Sequence, residues 1–279
     1  MHLRRWEVGT TLAILALSIV ASLLGLFRPG HYPNSLLPQY YVQDATMLVV
    51  GVPLLAAALW HARRGSFRGR IVWLGALAYM AYTWAHVGIQ AGFNRFYLGY
   101  VALFALSLFT LIGGTITVDA RAVRRTQADA VSERLYGGFL VLVAVGLAVL
   151  WLAELVPATL TGTPPTLVAE QGPEALVTHF IDLGVVVPSL LVSGVWLWRA
   201  RPWGYVLAGI AVVFGAILTP TIVGMTVVIL AVGELTVSPV AIAFTVLPLV
   251  AVTALAVTYV LAISPATDVR AMAESERAK

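Results

Sequence analysis

Residues 44–90 read DATMLVVGVPLLAAALW, then HARRGSFRGR, then IVWLGALAYMAYTWAHVGIQ. An acid opens an apolar run from Asp44 to Trp60. An arginine-rich hairpin follows, and a second apolar run from Ile71 to Gln90 turns polar along one face. At about 1.5 Å per residue, roughly 17–25 apolar residues cross about 30 Å of hydrocarbon. Two such runs joined by a short basic hairpin read as helices that cross a bilayer and return.

The rest of the chain fits that reading. Of 279 residues, 60% are hydrophobic and 11% charged, against about 25% charged in soluble domains. Alternating segments of about ten residues, which a membrane barrel needs, do not appear. The expected class is all-α: one integral membrane domain over residues 1–279, a polytopic bundle of eight spans. These run over 7–27, 44–60, 71–90, 97–118, 135–156, 179–198, 203–232 and 240–263, with a polar tail at 266–279. The basic start MHLRRW also suits a signal peptide. The apolar part is long for one, however, and no A-x-A site follows, so it reads as a span. The run from Trp203 to Val232 reads as one tilted or kinked helix with Pro220 inside, because a hairpin does not fit in its length.

Charge sets the expected orientation. Of the 17 Lys and Arg residues, all but Arg28 and Arg95 fall on one side of this eight-span arrangement. The positive-inside rule then places both termini in the cytoplasm of a cell-membrane protein. The net charge of +4 is accounted for by these hairpins, so nucleic acid is not an expected partner; the lipid bilayer is. The chain has no cysteine, which removes thiol catalysis, disulfides and cysteine metal sites. Its only lysine is Lys279, so a Schiff-base cofactor inside the bundle is excluded. No Gly-rich phosphate loop, HExxH pattern or nucleophile motif is present, and no cofactor is expected.

The opening hairpin has an echo. Asp44, Val49-Val50, Pro53, Trp60 and Arg63 recur as Asp182, Val186-Val187, Pro188, Trp196 and Arg199; Gly69 and Gly75 recur as Gly204 and Gly209. This suggests two parallel four-helix repeats, 1–132 and 133–265, related by an axis along the membrane normal. The pattern of VVxxP, a short Arg hairpin and then Trp-Gly-Tyr-Val-Leu-Ala-Gly at 203–209 resembles uncharacterised multi-span membrane proteins common in prokaryotes. The resemblance covers the second, third, sixth and seventh spans. It implies a fold and no activity.

Polar residues inside a bilayer are costly unless paired, so each is a candidate for function. Tyr79, Thr83, His86 and Gln90 fall at steps of four, three and four and share one helical face, which Asn94 extends. His179, Asp182, Ser189 and Ser193 form a second stripe. Tyr100, Ser107, Thr110 and Thr117 form a weaker third one. His86 lies about 23 Å along its helix from Ile71. With Glu154, His179, Asp182 and Asp44 it falls near the outer boundary. His86, Gln90, Asn94, Glu154, His179, Asp182 and Asp44 are therefore the ligand- or proton-binding candidates of an outward-facing polar pocket. The competing reading makes Asp44 and Asp182 first-turn caps, His86 a core hydrogen-bonder with Glu154 or Asp182 as its carboxylate partner, and 119–134 a solvated loop, with a short interfacial helix as the alternative for that segment. Three functions compete. One is small-solute transport or binding. Another is a structural or sensory subunit acting through a membrane partner or as a homo-oligomer. The third is a membrane-embedded metal enzyme, which the sparse ligand set disfavours. No catalytic residue stands out.

Overall fold

The computed structural model describes residues 3–33, 37–165, 168–169, 172–232 and 239–263. These are mostly helical, with no strand among them. We label the helices α1 (Arg5–Phe27), α2 (Leu37–Arg63), α3 (Phe67–Gln90), α4 (Tyr97–Ile116), α5 (Ala120–Gln127), α6 (Glu133–Thr161), α7 (Pro173–Trp198), α8 (Pro202–Val232) and α9 (Pro239–Ala262). Six of them, α1, α2, α4, α6, α7 and α8, are long and apolar enough to cross a membrane. The polar tail from 266 onward lies outside the described residues.

One of the helices outside those six is instructive. α3 has 24 residues, ample to cross, and most of them are buried, including Trp73, Tyr79 and Trp84. It packs against α2, α4 and α8. A helix surrounded by protein has no lipid-facing stripe to fill with aliphatic residues, so it can carry arginine, tyrosine, threonine and histidine. α6 is the opposite case. Its buried residues, Tyr136, Gly137, Leu140 and Ala144, all lie in its first half; the second half has none, and exposes aliphatic residues beside half-buried Trp151 and Glu154.

α3 and α8 run side by side and parallel at the centre. A β-carbon at Gly75 would fall 2.4 Å from a Val213 methyl, and one at Gly209 would fall 2.8 Å from Ile71. Small residues at such crossings let two backbones approach, which drives helix association in lipid. α8 continues unbroken through Pro220 as a single helix, as its length suggested.

Both described ends of the chain lie at one end of the bundle, here called the near end. Arg68 at the start of α3 donates to the carbonyls of Ile263 (2.6 Å) and Leu261 (2.8 Å), satisfying acceptors left free at the end of α9. Arg70, placed by sequence among the hairpin charges, is instead buried. Its guanidinium meets the Glu7 carboxylate at 3.2 Å and donates to the Gly114 carbonyl (3.0 Å) and Thr117. In the second half, the Tyr205 hydroxyl donates to Glu133.

Segment 119–134 holds a short helix, the alternative reading, rather than a solvated loop throughout. Asp119 caps a helix by accepting from the Ala122 amide at 3.0 Å, and α5 then lays Ala122, Val123 and Gln127 against α8. Gln127 is fully buried and accepts from the Tyr259 hydroxyl at 2.7 Å. The exposed arginines had hidden a narrow apolar face.

α2 and α7 each contain one π-helical turn, Met47–Gly51 and Asp182–Val186, and in each the next two residues are Val-Pro. A proline has no N–H to give and its ring crowds the preceding turn, so the widened turn just before it absorbs the mismatch.

Candidate functional site

Both π-bearing helices begin earlier than the hydropathy suggested, at Leu37 and Pro173. Asp44 and Asp182 are thus not first-turn caps. They lie roughly 10 and 13 Å inside their helices at about 1.5 Å per residue. They are 1% and 6% exposed, and each is the centre of a separate network.

The Asp182 network draws on three helices. From α3, the Tyr82 hydroxyl donates to Asp182 Oδ1 at 3.1 Å; from α6, the Trp151 indole N–H donates to Oδ2 at 2.9 Å. One turn earlier on α7, His179 Nε2 meets Glu154 Oε2 at 3.3 Å, and its ring lies 4.4 Å from the Trp151 ring. His179 is buried and its Nδ1 has no partner among the described residues. His86 Nε2 bonds the Thr178 hydroxyl at 2.6 Å and its ring stacks over Tyr82. His86 therefore turns toward α7, but its partner is a hydroxyl. The two carboxylates expected beside it are held by Tyr82, Trp151 and His179.

The Asp44 network is built by α1, α2 and the segment that joins them. The chain after α1 folds back so that His31 and Tyr32 are buried. The Tyr32 hydroxyl donates to Asp44 Oδ2 at 2.9 Å, and its ring stacks on Tyr40 with centroids 4.1 Å apart. Desolvation, then the Asp44 charge, pushes the Tyr32 hydroxyl far up, so it remains a donor. His31 Nε2 pairs with the Tyr100 hydroxyl at 2.7 Å, and the Asn94 amide donates to the His31 carbonyl at 3.3 Å. Burial, then the Arg28 charge, holds the His31 imidazole below its ordinary value. The fold-back depends on Gly25: a β-carbon there would sit 1.8 Å from Asp44 Oδ2 and 2.7 Å from the Tyr32 hydroxyl.

The sequence candidates therefore divide. His86, Glu154, His179 and Asp182 share one network, Asp44 and Asn94 the other, and Gln90 ends α3 half-buried. Neither aspartate has a Lys, Arg or His within ion-pair reach among the described residues. Nor do any three His, Asp or Glu residues there group as metal ligands. A separate groove between α8 and α9, lined by Thr219, Val250, Thr253 and Thr258, contains none of the candidates.

Sequence reasoning missed Tyr82, Trp151, Thr178, His31 and Tyr32. Tyr82 lies four residues before His86 on the same face, and that spacing was the available signal. For His31 and Tyr32 there was none, because a Pro- and Tyr-containing connector reads as interface.

No family model matches this chain, and neither a curated protein nor a solved structure resembles it.

Proposed function

We propose that the protein carries a small polar solute across a cell membrane, with the Asp182 network as its binding site. One observation supports this most. Asp182 opens a π turn inside a membrane helix, and its hydrogen-bond donors among the described residues are the neutral groups of Tyr82 and Trp151. A carboxylate held there without a cation is costly. Such a group suits a site that takes a proton or a cationic moiety of a solute, and π turns mark functional positions in helices. His179, with one free ring nitrogen, and Glu154 add a proton acceptor and a second acid.

The reading includes a topology of eight spans, α3 and α9 added to the six apolar helices, with both termini cytoplasmic and the network opening outward. It also includes two parallel four-helix halves. The matched π turns before Val52-Pro53 and Val187-Pro188 and the parallel central pair α3 and α8 support that symmetry. Aligned on the π turns, that symmetry takes a different register from the one the two aspartates suggest. Asp44 lies three residues before its turn, and so does His179; Asp182 opens its turn, as Met47 does. The counterpart of Asp44 is therefore His179 rather than Asp182.

The absence of cysteine from the chain allows a direct test. Single cysteines at Glu154 and Thr178 should react with an impermeant maleimide added outside intact cells, and one at Thr163, just beyond α6, should react faster. Reaction only after membrane disruption would end the outward-opening model. In proteoliposomes, a panel of amino acids, short carboxylates and polyols should include a solute whose proton-driven uptake is lost in Asp182→Asn. Uptake unchanged by that substitution would remove Asp182 from the site.

A further inference from the structure

A hydrogen-bonded chain leads from the connector after α1 to the Asp44 carboxyl. Gly30 takes the left-handed backbone (φ 69°). The next two residues, His31 and Tyr32, turn inward and are buried, while Arg28, Pro29, Gly30 and Pro33 around them are exposed. His31 Nε2 pairs with the Tyr100 hydroxyl at 2.7 Å. The Tyr100 and Tyr32 hydroxyls are in hydrogen-bond contact, and Tyr32 donates to Asp44 Oδ2 at 2.9 Å. One imidazole, two phenols and one carboxyl thus follow in line from an exposed turn to a buried acid. Each is a group that can both take and give a proton.

The inner end of that chain has no cation to balance a negative charge. Asp44 meets Tyr32 and Ser22, both neutral hydroxyls. Of the helices packed on α2, α1 carries its charged residues, Arg5 and Glu7, at the near end, and α3 presents Tyr79. α8 has no Asp, Glu, Lys, Arg or His at all. Glu174 acts on Tyr40, one turn before Asp44, and adds a second negative charge nearby. The Arg28 charge acts on His31. An isolated carboxylate is so costly away from water that such a group keeps its proton instead.

We infer that Asp44 is a proton-binding site, held as the neutral carboxylic acid near neutral pH and loaded through His31, Tyr100 and Tyr32. A proton taken up by the His31 imidazole releases the one on Nε2 to the Tyr100 oxygen. Tyr100 gives its own proton to Tyr32, and Tyr32 gives its own to Asp44 Oδ2. Each hydroxyl ends with the proton it received, so one proton is bound and no other bond changes. Burial and the Arg28 charge hold the imidazole below its ordinary value, so His31 passes the proton inward rather than keeping it. The site does not depend on the transport reading, because Asp44 and Asp182 belong to different networks.

The experiment uses full-length protein in detergent and infrared difference spectroscopy. Near neutral pH the protein should show a protonated-carboxyl C=O band that shifts in D₂O, is lost in Asp44→Asn and persists in Asp182→Asn. After a jump to alkaline pH that band should decay, and it should recover on return. Tyr100→Phe removes one oxygen and no charge; it should slow both phases about a hundredfold and leave the starting amplitude unchanged. His31→Gln, at the exposed end of the chain, should slow them likewise, and either variant alone decides. If His31 and Tyr100 only brace the fold, their variants should lower the unfolding midpoint and leave the rates as they are, which would overturn the relay. The absence of any protonated-carboxyl band that Asp44→Asn removes would overturn the proton site itself.

Discussion

The two halves of the bundle share a backbone device and differ in the chemistry it holds. Each places a π turn before Val-Pro in its second helix. In the first half an acid precedes the turn by one helical turn and meets a single tyrosine; in the second, a histidine stands at that position and the acid moves into the turn, where two donors meet it. At the near end the contrast continues: Glu7 meets a buried arginine, whereas Glu133 meets a tyrosine. The proline demands the widened turn from the backbone alone, and leaves the nearby side chains free to diverge.

The near end gives the largest test of that contrast. Removing one partner of a buried ion pair strands the other, at a cost of about 3–5 kcal/mol. Arg70→Met should therefore lower stability by that amount in detergent unfolding, with most of the loss recovered in the double variant Glu7→Gln/Arg70→Met. Tyr205→Phe, which leaves a half-buried Glu133 near water, should cost about 1 kcal/mol. Similar losses from the two single changes would erase the distinction between the halves.

Glycine gives a second, smaller test. Gly25→Ala drives a β-carbon into Asp44 and Tyr32, and overpacking of this kind costs about 1–3 kcal/mol. Gly184, inside the other π turn, has nothing within 4 Å of such a carbon. Gly184→Ala should be neutral or should stabilise by up to about 1 kcal/mol. Unfolding midpoints of the two variants decide the matter; a harmless Gly25→Ala would mean that the fold-back does not depend on close approach.

The smallest expected effect is a pH dependence confined to the first half. His31 faces Tyr100 and Tyr32 and feels Arg28, and its imidazole is held below the ordinary value of 6.5. The folded state thus favours neutral His31. Its contribution is fully present above about pH 6.5 and is lost as pH falls below that, through the lowered folded value. His31→Gln should flatten the acid limb of a stability–pH curve. An unchanged limb would place the acid sensitivity elsewhere.

The sequence made the helical membrane class legible because long apolar runs have few other uses, and it correctly kept Pro202–Val232 whole through Pro220. It placed the starts of α2 and α7 too late. Their first turns, LPQYYVQ and PEALVTH, are mixed in polarity, and they are helical because they pack on neighbours rather than because they are apolar. Which polar side chains meet was harder still. Burial of Arg70, the turn of His86 toward Thr178, and the return of Tyr32 over Asp44 all depend on how helices rotate against one another, and a linear stripe records only the face of its own helix.

α3 raises a question of order in synthesis. It is the helix least suited to lipid, and its central neighbour α8 begins more than a hundred residues later in the chain. At about 5–20 residues per second, roughly 6–22 s pass between the completion of α3 and the start of α8. For most of that interval the face carrying Tyr79 and Tyr82 has neither Thr221 nor Asp182 to meet. On the proposed eight-span topology, the first four helices wait with a polar seam open. The same seam that positions the candidate site makes the half-built protein the state most exposed to mispairing.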